Sequence, residues 1–209
     1  MKFERTKVFG IDDDLIYGIR LPLMSHDRSD SWWSDDGKNF YIGKNDLDLM
    51  QRLIKSGHPH DKFMRQIPVR TFITAPTFWW VQADTYKVGT VANSSSKMHK
   101  LASTPIDVAC FDMRKLKKVA PEMAENTIKN CEELRQRYLE TKDMDVWNAL
   151  VELLPESWEQ IRMYSLNYEV IYNQIRQRKG HKLKQWKEFI NWAKTLPYAK
   201  KLLFYGLED

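Results

Sequence analysis

The first ten residues, MKFERTKVFG, alternate apolar and polar side chains, which is the period of a strand, and Gly10 closes the run. DDDLIYGIRLPL then predicts a short helix with acidic residues near its positive end. MSHDRSDSWWSDDGKN is polar and rich in turn formers, so it predicts a loop. Asn45 is placed to cap a second helix, in which Leu47, Met50, Leu53 and Ile54 share a face and Gly57 is the stop. Ile67, Val69, Thr71 and Ile73 alternate with Pro68, Arg70 and Phe72, a strand signal with Pro68 at its entry or on an edge. Ala75-Pro76 restarts the chain as a helix, because proline is tolerated in a first turn. YKVGTV and PIDVACFD predict two further extended pieces.

From Pro121 the period lengthens. Ile128, Cys131, Leu134 and Tyr138 fall on one helical face, and Asp143 can cap a helix carrying Val146, Leu150 and Leu153. Leu154-Pro155 breaks that helix. SWEQIRMYSLNYEVIYNQIRQR predicts helix, a short extended break, then helix. LKQWKEFINWAKTL is amphipathic with Leu183, Trp186, Ile190 and Ala193 inward, and Pro197 opens a last short helix. The pattern predicts an α+β protein, with a mixed sheet in the first half and a helix-rich second half. The 209 residues suit a single domain, 1–209.

Composition narrows the function classes. Trp 8, Tyr 9 and Phe 9 argue for a packed core rather than disorder. The net charge of +5 is spread along the chain, so it favours anionic partners mildly and does not by itself argue for nucleic acid; with the many aromatics it leaves nucleic-acid binding as a third, unlikely reading. Cys110 and Cys131 sit in apolar settings and read as two buried thiols. No apolar run reaches membrane-spanning length, and MKFERTKVFG lacks the apolar stretch of a signal peptide, so a cytoplasmic location is expected.

Familiar catalytic signatures are missing: no Gly-rich phosphate loop, no GxGxxG, no G-x-S-x-G elbow. HPHD, His58 to Asp61, could supply metal ligands, but no second cluster completes it and a polar turn is the default reading. Adjacent Trp79 and Trp80 point about 100° apart on a helix and so read as core. The stretch VGTVANSSSKMHK is either a flexible linker or a phosphate-binding segment. Lys87, Asn93, Ser94, Ser95, Ser96 and Lys97 offer closely spaced donors, which is what a phosphate requires.

Several segments together resemble the flavin-dependent thymidylate synthase (ThyX) family, most clearly over about residues 45–195. Its signature R-H-R-x-x-S-x-N-E-x-S-x-R follows a Gln, and some members carry A-P-x-F-x-x-x-Q in the lead-in. APTFWWVQ matches that lead-in from Ala75 to Gln82. Counting on, Thr85, Tyr86 and Lys87 fall on R-H-R, Thr90 on the first Ser, Ala92 and Asn93 on N-E, Ser95 on the second Ser and Lys97 on the last Arg. Leu154-Pro155 and Asn167 stand where the family has Leu-Pro and N-x-R-E-L, with Asn173 and Arg178 further along that helix. KQWKE resembles the family's A-Q-W-E, and Gly57-His58 its G-H.

The resemblance implies an α+β fold of the thymidylate synthase-complementing type, assembled as a homotetramer with sites built between subunits. It implies dUMP and FAD as bound groups, with methylenetetrahydrofolate giving the one-carbon unit and NADPH the hydride. Gln82, Asn93, Ser94, Ser95, Ser96, Lys97 and Arg178 would meet the dUMP-like substrate. His58, Tyr86, Lys87, Asn167 and Asn173 would face the FAD-like cofactor. The chain departs from the pattern at Thr85, Tyr86, Asn93, Lys97, Glu169 and Val151, where the family has Arg, His, Glu, Arg, Arg and Arg. Two functions follow: a thymidylate synthase, or a non-catalytic nucleotide-binding protein on the same fold.

Overall fold

In the computed structural model, residues 1–207 are described. In chain order the elements are β1 (Lys2–Val8), α1 (Asp13–Arg20), β2 (Trp32–Trp33), β3 (Phe40–Tyr41), α2 (Lys44–Ser56), β4 (Pro68–Pro76), α3 (Thr77–Ala83), β5 (Val91–Ser94), α4 (Lys97–Ser103), α5 (Arg114–Val119), α6 (Pro121–Thr141), α7 (Met144–Leu153), β6 (Glu159–Asn167), α8 (Tyr168–Arg178), α9 (Lys184–Ala193) and α10 (Ala199–Leu202). The class is α+β, as the hydrophobic pattern predicts.

Four strands form one sheet in the order β1-β4-β6-β5, and β2 pairs antiparallel with β3. The hydrogen bonds fix the sense of the central pair. Tyr168 N–H donates to Ile67 O at one end and Thr77 N–H to Trp158 O at the other, so β4 and β6 run antiparallel. β1 meets β4 in the same sense, with Phe9 N–H on Pro68 O and Thr71 Oγ1 on Glu4 O. In β4, Val69, Thr71, Ile73 and Ala75 are buried, the alternation read from the sequence.

The chain divides into two compact units. Unit 1 comprises 1–2, 73–85 and 93–163; of the described residues, unit 2 comprises 3–72, 86–92 and 164–207. The core of unit 1 gathers Leu101, Ile106, Cys110, Phe111, Ala124, Cys131, Trp147, Leu150 and Trp158. Both cysteines are buried free thiols, and burial pushes Cys131 up to about 11. Trp79 and Trp80 are fully buried and meet edge to face, as core residues do. In unit 2, α9 buries Trp186, Phe189 and Trp192, and Phe3 stacks on Trp192 at 4.9 Å.

Five local expectations are corrected. YKVGTV is not an extended piece: Val88 and Gly89 form a turn, and the strand β5 begins only at Val91. SWEQIRMYSLN is not a helix and a break but the nine-residue strand β6, which its pairing with β4 stabilises. The polar SWWSDDGKN segment contains a hairpin in which Trp32 lies opposite Tyr41 and Trp33 opposite Phe40; cross-strand aromatic pairs hold it. Asn45 does not cap α2. The Asp30 carboxylate reaches the Asn45 and Asp46 N–H groups and satisfies that helix start from a distant loop. PIDVACFD forms a short turn of 3-10 helix, Val108–Cys110, and a single bridge from Phe111 to Trp158.

Candidate functional site

In unit 1 the serine segment leaves β5 and enters α4. Ser95 N–H donates to Ile161 O on β6 at 2.9 Å, and Gln160 Nε2 donates to Ser95 O at 2.8 Å, so the main chain of the segment is clamped on both sides. Ser96 is spent on structure: its Oγ accepts from His99 N–H and caps α4. The side chains of Asn93, Ser94, Ser95 and Lys97 make no hydrogen bond or ion pair among the described residues. A fixed backbone with free donors is the arrangement an anion needs. Gln82, half-buried at the end of α3, has its carbonyl held by Thr85 Oγ1 at 2.7 Å.

Arg162 of β6 completes this corner. Its Nε donates to Gln160 Oε1 at 3.0 Å, and its Nη1 to both Asp84 oxygens at 2.8 and 3.0 Å. Its guanidinium lies 4.3 Å from the centre of the Trp80 ring, a cation–π contact. Sequence reasoning missed this residue because it read the segment as a helix. Read as a strand, Gln160 and Arg162 share a face, and the link to the serines follows.

In unit 2, Tyr86 and Arg178 meet. Tyr86 OH donates to Gln177 Oε1 at 3.0 Å and accepts from Arg178 Nε at 3.1 Å. The Arg178 guanidinium lies 5.7 Å from the Tyr86 ring centre and 5.0 Å from that of Trp186. Nearby, His181 is lowered from its ordinary value by burial and then by the Arg178 cation. Lys87 is exposed and Asn173 half-buried, and neither side chain has a partner among the described residues. Asn167 is buried and caps α8, its Oδ1 accepting from Val170 N–H at 3.0 Å.

His58 lies in a closed charge cluster. Its Nδ1 is 3.9 Å from both Asp61 and Glu169 carboxylates. Arg65 grips Glu169 with Nε at 2.5 Å and Nη2 at 3.0 Å, and comes within 3.3 Å of the His58 Nδ1. The three ligand-type side chains do converge, their atoms all within 4.8 Å of one another. Arg65 already pairs with Glu169, so the cluster reads as an ion pair with a histidine at its rim, and Asp61 leaves it net negative. A separate cleft of about 710 Å³ in unit 2 is lined by Arg20, Arg28, Arg52, Asp27 and Asp48 among others. It contains none of the site residues picked out from the sequence, and two of its three guanidinium groups are paired with carboxylates: Arg52 with Asp48, and Arg20 with Asp46.

Comparison with solved structures gives the fold its place. The crystal structure of flavin-dependent thymidylate synthase ThyX from Helicobacter pylori, complexed with FAD and dUMP, matches with a TM-score of 0.70 at 17% identity, covering 98% of each chain. A second structure of the Helicobacter pylori ThyX with FAD and dUMP matches with a TM-score of 0.66 at 17% identity, covering 98% of this chain and 97% of that one. The chain has the ThyX fold. No protein-family model matches it, and no curated protein matches it by sequence. At two of the positions where the chain departs from the ThyX signature the side chains have partners of their own: Tyr86 is hydrogen-bonded to Gln177 and Arg178, and Glu169 to Arg65.

Proposed function

We propose that the protein binds a deoxyuridine nucleotide and a flavin, and acts as a thymidylate synthase-like enzyme on the ThyX fold. The observation that carries this reading is a whole-chain match to a protein complexed with FAD and dUMP; the serine segment, with side-chain donors unmet among the described residues, supports it. In unit 1, Asn93, Ser94, Ser95 and Lys97 would receive the nucleotide phosphate, with Gln82 beside them. In unit 2, Arg178, held against the Tyr86 and Trp186 rings, would offer its remaining N–H groups to an anionic or carbonyl oxygen.

The residues present fit a phosphate-bearing flavin in part of unit 2. Lys87 and Asn173 bring an uncommitted cation and amide, while Tyr86 is held by Gln177 and Arg178. When bound, a flavin would supply the redox chemistry and the relay of the one-carbon unit between methylenetetrahydrofolate and dUMP, with NADPH as reductant. The work of this chain's own residues would be to bind phosphate through Asn93, Ser95 and Lys97 in unit 1 and to position Arg178 with Tyr86 and Trp186 in unit 2.

The test is optical and thermal together. The expected outcome is that FAD added to the purified protein gives a bound-flavin visible spectrum, and that dUMP raises the melting temperature. Tritium release from C5-labelled dUMP, in the presence of the folate and NADPH, checks turnover. One observation favours a second reading, a nucleotide-binding protein without flavin chemistry: the Glu169 carboxylate, with Asp61, leaves a net negative cluster at His58 despite Arg65. That reading expects the dUMP shift with no flavin spectrum.

A further inference from the structure

Arg162 is set apart by how it is paired. It lies on β6 with its side chain only 13% exposed, and its partner Asp84 is 48% exposed. A guanidinium held this far from water is costly unless its donors are met. Yet Asp84 engages it at a single nitrogen, with both carboxylate oxygens on Nη1, rather than fork to fork. Nε is taken by Gln160, and Nη2 has no acceptor among the described residues. The same Gln160 side chain that holds Nε donates to Ser95 O. One amide therefore ties the incompletely paired guanidinium to the segment whose Ser95 and Lys97 side chains are free.

We propose that Arg162 is the principal cation of the anion subsite formed with Ser95 and Lys97, and that Asp84 is an internal stand-in which a ligand phosphate displaces. The inference rests on the nucleotide reading above. The exchange needs little motion, because Trp80 and Gln160 hold the guanidinium in place while the exposed Asp84 swings away. A phosphate then meets Nη1 and Nη2 together, the bidentate geometry that Asp84 does not provide. Lys97 adds a second charge, which makes up for the single-point contact a lysine gives.

The experiment is calorimetric titration of the full chain with dUMP, with inorganic phosphate, and with deoxyuridine, which lacks the phosphate. Asp84→Asn removes the competitor and is expected to tighten dUMP and phosphate about two- to five-fold, the scale of an exposed ion pair. Arg162→Gln is expected to weaken dUMP by about ten-fold or more, the scale of a charge-assisted hydrogen bond, and Arg162→Lys to recover part of that. Deoxyuridine binding should be unchanged in all three variants. If Arg162 is only a clip between β6 and α3, Asp84→Asn will lower the melting temperature and leave dUMP affinity at the wild-type value; that result overturns the proposal even if Arg162→Gln fails to fold. Wild-type protein that binds neither dUMP nor phosphate would overturn the nucleotide reading itself, and the subsite with it.

Discussion

Two arginines and a glutamine show how much a single side chain can say. Arg178 was legible in the sequence by its spacing from Asn167, but its setting was not: the rings of Tyr86 and Trp186 come from positions 92 residues before it and 8 after it. Arg162 was hidden by a wrong period. Gln174 was not singled out at all. It is fully buried on α8, and neither its Oε1 nor its Nε2 has a hydrogen-bond partner among the described residues. A buried amide left unmet costs about 1–3 kcal/mol. Gln174→Met keeps the length of the side chain and removes the unmet groups. It should raise the unfolding free energy by about 1 kcal/mol in urea titration; a loss of stability would show that the amide is met within the fold after all.

At the scale of elements, the start of α8 and the loop after Tyr86 depend on each other. Gly89 has φ +78°, a conformation that favours glycine, and a Cβ there would stand 2.7 Å from Asn167 Nδ2. Asn167 is the side chain that caps α8. Gly89→Ala therefore strains the loop and presses on the cap at the same time. It should cost about 1–2 kcal/mol, and the cost should shrink in an Asn167→Ala background, where the clashing amide is gone. A double-mutant cycle measured by denaturation checks the coupling; strict additivity would refute it. The same scale explains the sequence errors. β6 carries a helix-compatible run, EQIRMY, whose strand state is decided by hydrogen bonds to a segment about 90 residues away. The Trp32–Tyr41 hairpin has a polar, turn-rich sequence and is held by rings that face each other only once the chain reverses.

At the scale of the whole molecule, stability should fall on acidification through identifiable carboxylates. Arg135 above all, helped by the Ile106 N–H and Gln136, outweighs the burial of Glu132 and holds its carboxyl down to about 2. Ordinary glutamate titrates at 4.5. The folded value is therefore depressed, so its contribution is complete above the unfolded value and is lost as pH falls from about 4.5 towards about 2. Asp46 acts in the same direction: burial would raise it, but hydrogen bonds from Ser31, Arg20, Ser29 and the Asp30 N–H together hold it below its usual range. Glu132→Gln should be less stable than wild type near neutral pH, with the gap closing as pH approaches 2. Urea titrations across that range check this; a gap that widens in acid would contradict the assignment. No helix of the described residues is long and apolar enough to cross a membrane.

The local pattern of the chain determined most of the elements on its own. Alternation in β4, the apolar stripe of α6, the Asp143 cap and the Pro155 break are properties of residues a few positions apart, and short-range sterics and amphipathicity settle them. Resemblance in the order of motifs pointed to the ThyX fold, which the whole chain shares with solved ThyX structures. Tertiary structure decided which donors are still available. Ser96 and Asn167 are spent as helix caps and Tyr86 on its neighbours, whereas Asn93, Ser95 and Lys97 are left open. Only the fold brings Asp84 to Arg162 and Arg65 to Glu169, across 78 and 104 positions. Hydrogen bonds and ion pairs act over a few ångströms, so their partners are chosen by where the folded backbone carries each side chain, and sequence spacing does not record that distance.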